Sequence, residues 1–79
     1  MTIIYHRSQY PNHQLVIDPK DAPTRNRVVY DDWTKVEVTD TLLIITLEYK
    51  TKFTQEDQVQ IIHRERNTLF GWSFKQLED

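Results

Sequence analysis

Cysteine is absent from the 79 residues, which excludes disulfides, thiolate metal sites and a thiol nucleophile. A single glycine, Gly71, rules out the glycine-rich loops that cradle phosphates or dinucleotides. It also leaves Asn12, Asp40 and Asn67 to serve any turn that needs a positive φ. Serine is scarce too. Neither Ser8 nor Ser73 sits in a sharp glycine-flanked elbow, and Ser73, between Trp72 and Phe74, reads as the outward position of a strand. No apolar run is long enough to cross a membrane, and the start, MTIIYHRSQY, lacks a basic segment followed by a long apolar one. The expectation is a cytoplasmic protein with no membrane contact. Neither sign of charge dominates: ten Lys and Arg stand against twelve Asp and Glu, a net charge of −2. The balance is the same in both halves, so there is no basic arm or acidic tail. That weakens the general case for nucleic acid, although a local basic face remains open.

What the chain does have is β-forming residues and aromatics. Thr41 to Lys50, TLLIITLEYK, carries the longest apolar run, rich in β-branched residues and ended by polar breaks at Thr39-Asp40 and Lys50 to Lys52. Both alternate sets of positions are largely apolar, so it reads as a central strand covered on both faces. Around it, Thr2 to Arg7 starts extended, with Ile3 and Tyr5 on one face and Ile4 and His6 on the other. Tyr10-Pro11-Asn12-His13 is a turn signal leading into a strand at Gln14 to Asp18, so residues 2–18 read as a hairpin. Pro19 to Asn26 is a surface or binding loop. A short strand follows at Arg27 to Tyr30, then a turn or bulge at Asp31-Asp32. Trp33 to Val38 alternates, with Trp33, Lys35 and Glu37 opposed to Thr34, Val36 and Val38, and Thr39-Asp40 joins it to the central strand as a second hairpin.

Thr54 to Arg66 reads two ways. Threonine as an N-cap with Glu56 and Asp57 in the first turn suits a helix. Val59, Ile61 and Ile62 form no helical stripe, however, and a strand paired with Thr68 to Gln76 is preferred. There Phe70, Trp72 and Phe74 share one face. The expected fold is one small, mainly β domain over residues 1–79. It is an antiparallel meander of about six strands, as a barrel or a sandwich, with one helix at 54–66 as the alternative.

Candidate chemistry is sparse. His6, His13 and His63 match no metal-ligand spacing, and no metal or cofactor is expected. Asp31-Asp32, Glu56-Asp57 and Glu78-Asp79 are adjacent pairs, and neighbours on a strand point to opposite faces, so they suit turns and caps better than acid–base catalysis. The expectation is a non-enzymatic module, such as an adaptor, inhibitor or accessory protein, that binds a protein partner. Trp33, Trp72, Arg25, Arg64 and Arg66 are its candidate contacts, since Trp and Arg are common interface anchors. A homodimer is a further expectation, because small domains gain stability by associating. The alternative is binding of single-stranded or structured nucleic acid through a basic-aromatic face of Tyr49, Lys50, Lys52, Phe53 and Lys75 together with Arg64, Arg66 and Trp72.

Overall fold

Burial along the central run shows how the chain organises itself. A computed structural model describes residues 1–20 and 27–77. Within it the run forms β5 (Leu42–Lys50), and Leu43, Ile45 and Leu47 are buried while Leu42, Ile44 and Thr46 are only half-buried. One face is therefore core and the other is open to water. The run is apolar on both faces, but only one of them is covered.

Seven strands form among the described residues: β1 (Ile3–His6), β2 (His13–Pro19), β3 (Val28–Tyr30), β4 (Trp33–Val38), β5, β6 (Asp57–Glu65) and β7 (Leu69–Gln76). They build two antiparallel sheets, one ordered β1-β4-β5-β6 and the other β3-β2-β7. Leu15, Ile17 and Leu69 of the smaller sheet meet Trp33, Val36, Val38, Leu43, Ile45 and Leu47 of the larger one in a single core. The fold is thus mainly β, a sandwich of two sheets, as the alternating segments imply. Residues 57–65 are strand throughout, in continuous register with β5 from Leu42↔Glu65 to Lys50↔Asp57. The helix alternative does not hold.

Two expected hairpins are absent. β1 pairs with β4, Ile3 opposite Val38, while β2 lies in the other sheet between β3 and β7. Likewise β6 and β7 belong to different sheets. In both places a 3-10 turn, Arg7–Gln9 or Arg66–Thr68, carries the chain across the sandwich instead of folding it back. Only β4-β5-β6 is a sequential meander, with the Thr39-Asp40 hairpin where it was expected.

That hairpin is closed without a positive φ. The Thr39 amide donates to the Leu42 carbonyl at 2.9 Å, and the Leu42 amide donates to the Thr39 hydroxyl at 2.8 Å. The threonine hydroxyl does the work of a turn-former. Among the described non-glycine residues, the left-handed region is used by Asn12 (φ 61°) and Gln55 (φ 56°). Asn12 fills its expected role, whereas Asp40 and Asn67 do not and Gln55 was unforeseen.

Two register shifts move aromatic residues off the face that strict alternation assigns them. Between Trp33 and Lys35 the pairing with β5 slips by one residue, so Trp33 joins Val36 and Val38 in the core instead of opposing them. Between Asp18 and Pro19 the pairing with β7 skips Phe70, so Leu69 points inward and Phe70 is exposed while Trp72 and Phe74 stay against the core.

Candidate functional site

Trp33 lies at the heart of the fold. It is 1 % exposed, its indole N–H donates to the His13 carbonyl at 3.0 Å, and Phe74 packs with a ring-centroid separation of 4.7 Å. The Arg7 guanidinium sits 5.2 Å above the indole and donates to the Asp31 and Trp33 carbonyls at 2.8 and 3.2 Å, pinning the β3–β4 connection. A side chain with no exposed surface cannot anchor a partner, so Trp33 is corrected from contact residue to core residue. Trp72 is half-buried, edge-on to Tyr5 and Phe74 at 5.7 and 5.6 Å, within an aromatic cluster that Tyr10 extends by stacking on Phe74.

The basic candidates are dispersed. Arg64 projects from β6 opposite Leu43 and is half-buried. Arg66 follows it in the 3-10 turn, where its guanidinium donates to the Thr39 carbonyl at 2.7 Å and its amide to the Thr41 carbonyl at 2.9 Å, tying that corner to the β4–β5 turn. Lys50, Lys52 and Phe53 sit at the opposite end of the β5–β6 hairpin, with Phe53 98 % exposed. Seven residues of extended strand, roughly 23 Å, separate Lys50 from the level of Arg64. Lys75 belongs to the other sheet, on the face turned away from the core, opposite Gln14. The basic-aromatic face of the sequence is thus spread over three separate places. Arg25 and most of the Pro19 to Asn26 loop lie outside the described residues.

The three histidines are not brought together either. His6 and His63 lie on the same outer sheet face but on its two edge strands, three strand spacings or roughly 14 Å apart. His13 is held at the start of β2, its Nδ1 2.8 Å from the Pro11 carbonyl. Among the described residues, no three His, Asp or Glu side chains are grouped as a metal site would need. No described helix is long and apolar enough to cross a membrane.

The surface that does form is the outer face of the four-stranded sheet. Register places Ile4, Glu37, Ile44 and His63 in one row across it and His6, Lys35, Thr46 and Ile61 in the next. Leu42 and Val59 extend the apolar part along β5 and β6. Ile4, Val59 and Ile61 are 46, 62 and 57 % exposed, and Leu42 and Ile44 are half-buried. Lys35 and Glu37 neutralise each other across the middle at 2.9 Å. Sequence reasoning missed this face because it placed both sides of β5 inside. The signal was present in the surplus of aliphatics: Ile4, Leu42, Ile44, Val59 and Ile61 exceed what one small core can bury.

Comparison with known proteins gives no matching family model, no matching curated protein and no matching solved structure.

Proposed function

We propose that the protein is a non-enzymatic module that binds another protein through the outer face of its four-stranded sheet. The observation behind this reading is that Leu42, Ile44, Val59 and Ile61 share one outer sheet face, with Ile4 on the same face beyond the neutralised Lys35–Glu37 pair of β4. Exposed aliphatics gathered on one sheet face, rimmed by polar residues, characterise interaction surfaces, whereas scattered single ones do not. The chemistry that suits it is an apolar partner surface, with affinity drawn mainly from burial of the isoleucines. Among the described residues, Lys50, Lys52, Phe53, Lys75, Arg64 and Arg66 share no one groove, so these candidates give the nucleic-acid alternative no common surface.

The test is affinity capture from nuclease-treated lysate with the wild type, with Ile4→Glu/Ile44→Thr, and with the control Ser73→Lys on the opposite sheet. A protein retained by the wild type and the control and lost with the double variant supports the reading. Equal capture by all three, or loss of the captured protein on nuclease treatment, overturns it.

A further inference from the structure

Among the described residues, four strand edges end the two sheets, belonging to β1, β6, β3 and β7. An unpaired edge invites association, and proteins protect it with shortness, bulges, proline, or charged side chains along its length, lysine above all. Three of these edges are protected in that way. β1 has four residues and β3 has three, while β7 is irregular at Phe70 and carries Lys75. β6 differs. It runs for nine residues in unbroken register without proline or glycine, its charged residues Asp57, Arg64 and Glu65 stand at its two ends, and Gln58 to Ile62 between them carry no charge, with Val59 and Ile61 exposed.

We infer that β6 pairs antiparallel with β6 of a second copy, joining two four-stranded sheets into one continuous sheet of eight. The symmetry limits how this can be done. A two-fold axis that relates antiparallel edges of one sheet stands perpendicular to it, and because opposed residues must share a face, it passes midway between one residue and its own copy. Charge then selects the residue. With the axis at Ile61, Asp57 faces Glu65 of the second copy, two like charges in direct opposition. With the axis at Val59, Asp57 faces Ile61, and at Ile62 Val59 faces Glu65, so a carboxylate meets an aliphatic side chain in each case. With the axis at Gln60, Glu56 meets Arg64 and Val59 meets Ile61, each pair occurring twice, while Asp57 lies opposite His63 and Gln58 opposite Ile62. Of these four registers it alone sets no carboxylate against a like charge or an aliphatic side chain, and it pairs Val59 with Ile61. It also carries the apolar strip of one outer face across the junction into that of the other, since Val59 and Ile61 both lie on the outer side. The partner that fits this edge is therefore another copy of this chain. The pairing uses main-chain groups of the edge, so it stands whether or not the outer face binds a different protein.

The full chain is measured by sedimentation equilibrium over a range of concentrations. The expected mass is twice the 9.6 kDa of one chain at high concentration. Ile61→Lys, at an exposed position, returns the mass to that of a monomer with unchanged circular dichroism. Arg64→Glu raises the dissociation constant by about tenfold or more, and Glu56→Arg combined with Arg64→Glu restores it. Ile4→Glu, distant from this edge, leaves the dimer intact, which separates this test from that of partner binding. A wild-type monomer at every concentration overturns the inference, as does a dimer insensitive to Ile61→Lys. Failure of the double exchange to rescue overturns the Gln60 register.

Discussion

Two neighbouring isoleucines on β5 provide an internal comparison of the two sheet faces. Ile45 is fully buried between the sheets, while Ile44, one residue earlier, is half-buried on the outer face. Truncation to alanine removes the same atoms at each and costs similar strand propensity at each, so the difference in stability reports the environment alone. At Ile45, losing about three methylene equivalents at about 0.8 kcal/mol each, plus a cavity that a packed core only partly fills, amounts to about 3–4 kcal/mol. At Ile44, about half of the transfer term is lost and water fills the space, giving about 1 kcal/mol. A chain of 79 residues has a total stability of roughly 4–12 kcal/mol, so the first change removes a large part of it. At about 4–8 °C per kcal/mol, Ile45→Ala lowers Tm by roughly 12–30 °C and Ile44→Ala by roughly 4–8 °C. Urea unfolding followed by tryptophan fluorescence, to which Trp33 in the core and half-buried Trp72 contribute, measures both losses. Equal losses would refute the assignment of faces, because they would mean that the outer side of β5 is as well covered as the inner.

Two further outcomes test the framework around the core. Trp33→Phe gives up the donation to the His13 carbonyl, part of the cation–π contact with Arg7 and some core volume, and lowers stability by about 2–3 kcal/mol in urea unfolding followed by circular dichroism. Gly71→Ala is the reverse case. No atom lies within 4 Å of the position a Cβ would take and the backbone is not left-handed, so the substitution raises Tm through a stiffer unfolded chain, by about 0.5 kcal/mol in stability. A loss at this position would mean that the space above Gly71 is occupied.

Strand positions were legible in the sequence because alternation and β-branching act locally. Thr39-Asp40 was recognisable as a hairpin, and Gln58 to Arg66 was preferred as a strand because Val59, Ile61 and Ile62 continue into no helical stripe through Arg66. Partners were not legible. The period of a strand states which residues share a face, and nothing in it distinguishes turning back at Asn12 or Asn67 from crossing to the opposite sheet. Alternation itself failed at Trp33 and Phe70, where one inserted residue inverts the faces on either side of it. The candidate contacts suffered most from this. Trp33 read as outward only because its bulge was invisible, and Lys50 and Arg64, brought together by their residue types, lie at opposite ends of one hairpin. The β6 edge had no signature beyond its lack of proline, lysine and glycine, which acquires meaning only once the strand is known to be last in its sheet.

The placement of β2 bears on the order in which the chain acquires its structure. Its long partner is β7, from His13↔Gln76 to Pro19↔Leu69, a separation of 50 to 63 residues. At ribosomal rates of about 5–20 residues per second, β2 emerges roughly 3–12 s before the strand that completes its sheet. In that interval only the three residues of β3 can pair with it, while β4, β5 and β6 close locally through short turns. The nascent chain thus holds one half-sandwich ready and the other waiting, with the long edge of β2 unpaired until β7 arrives. Such long-range closure sets a slow folding rate for a chain of this size, and it makes the interval before β7 docks the period of greatest exposure to misassociation.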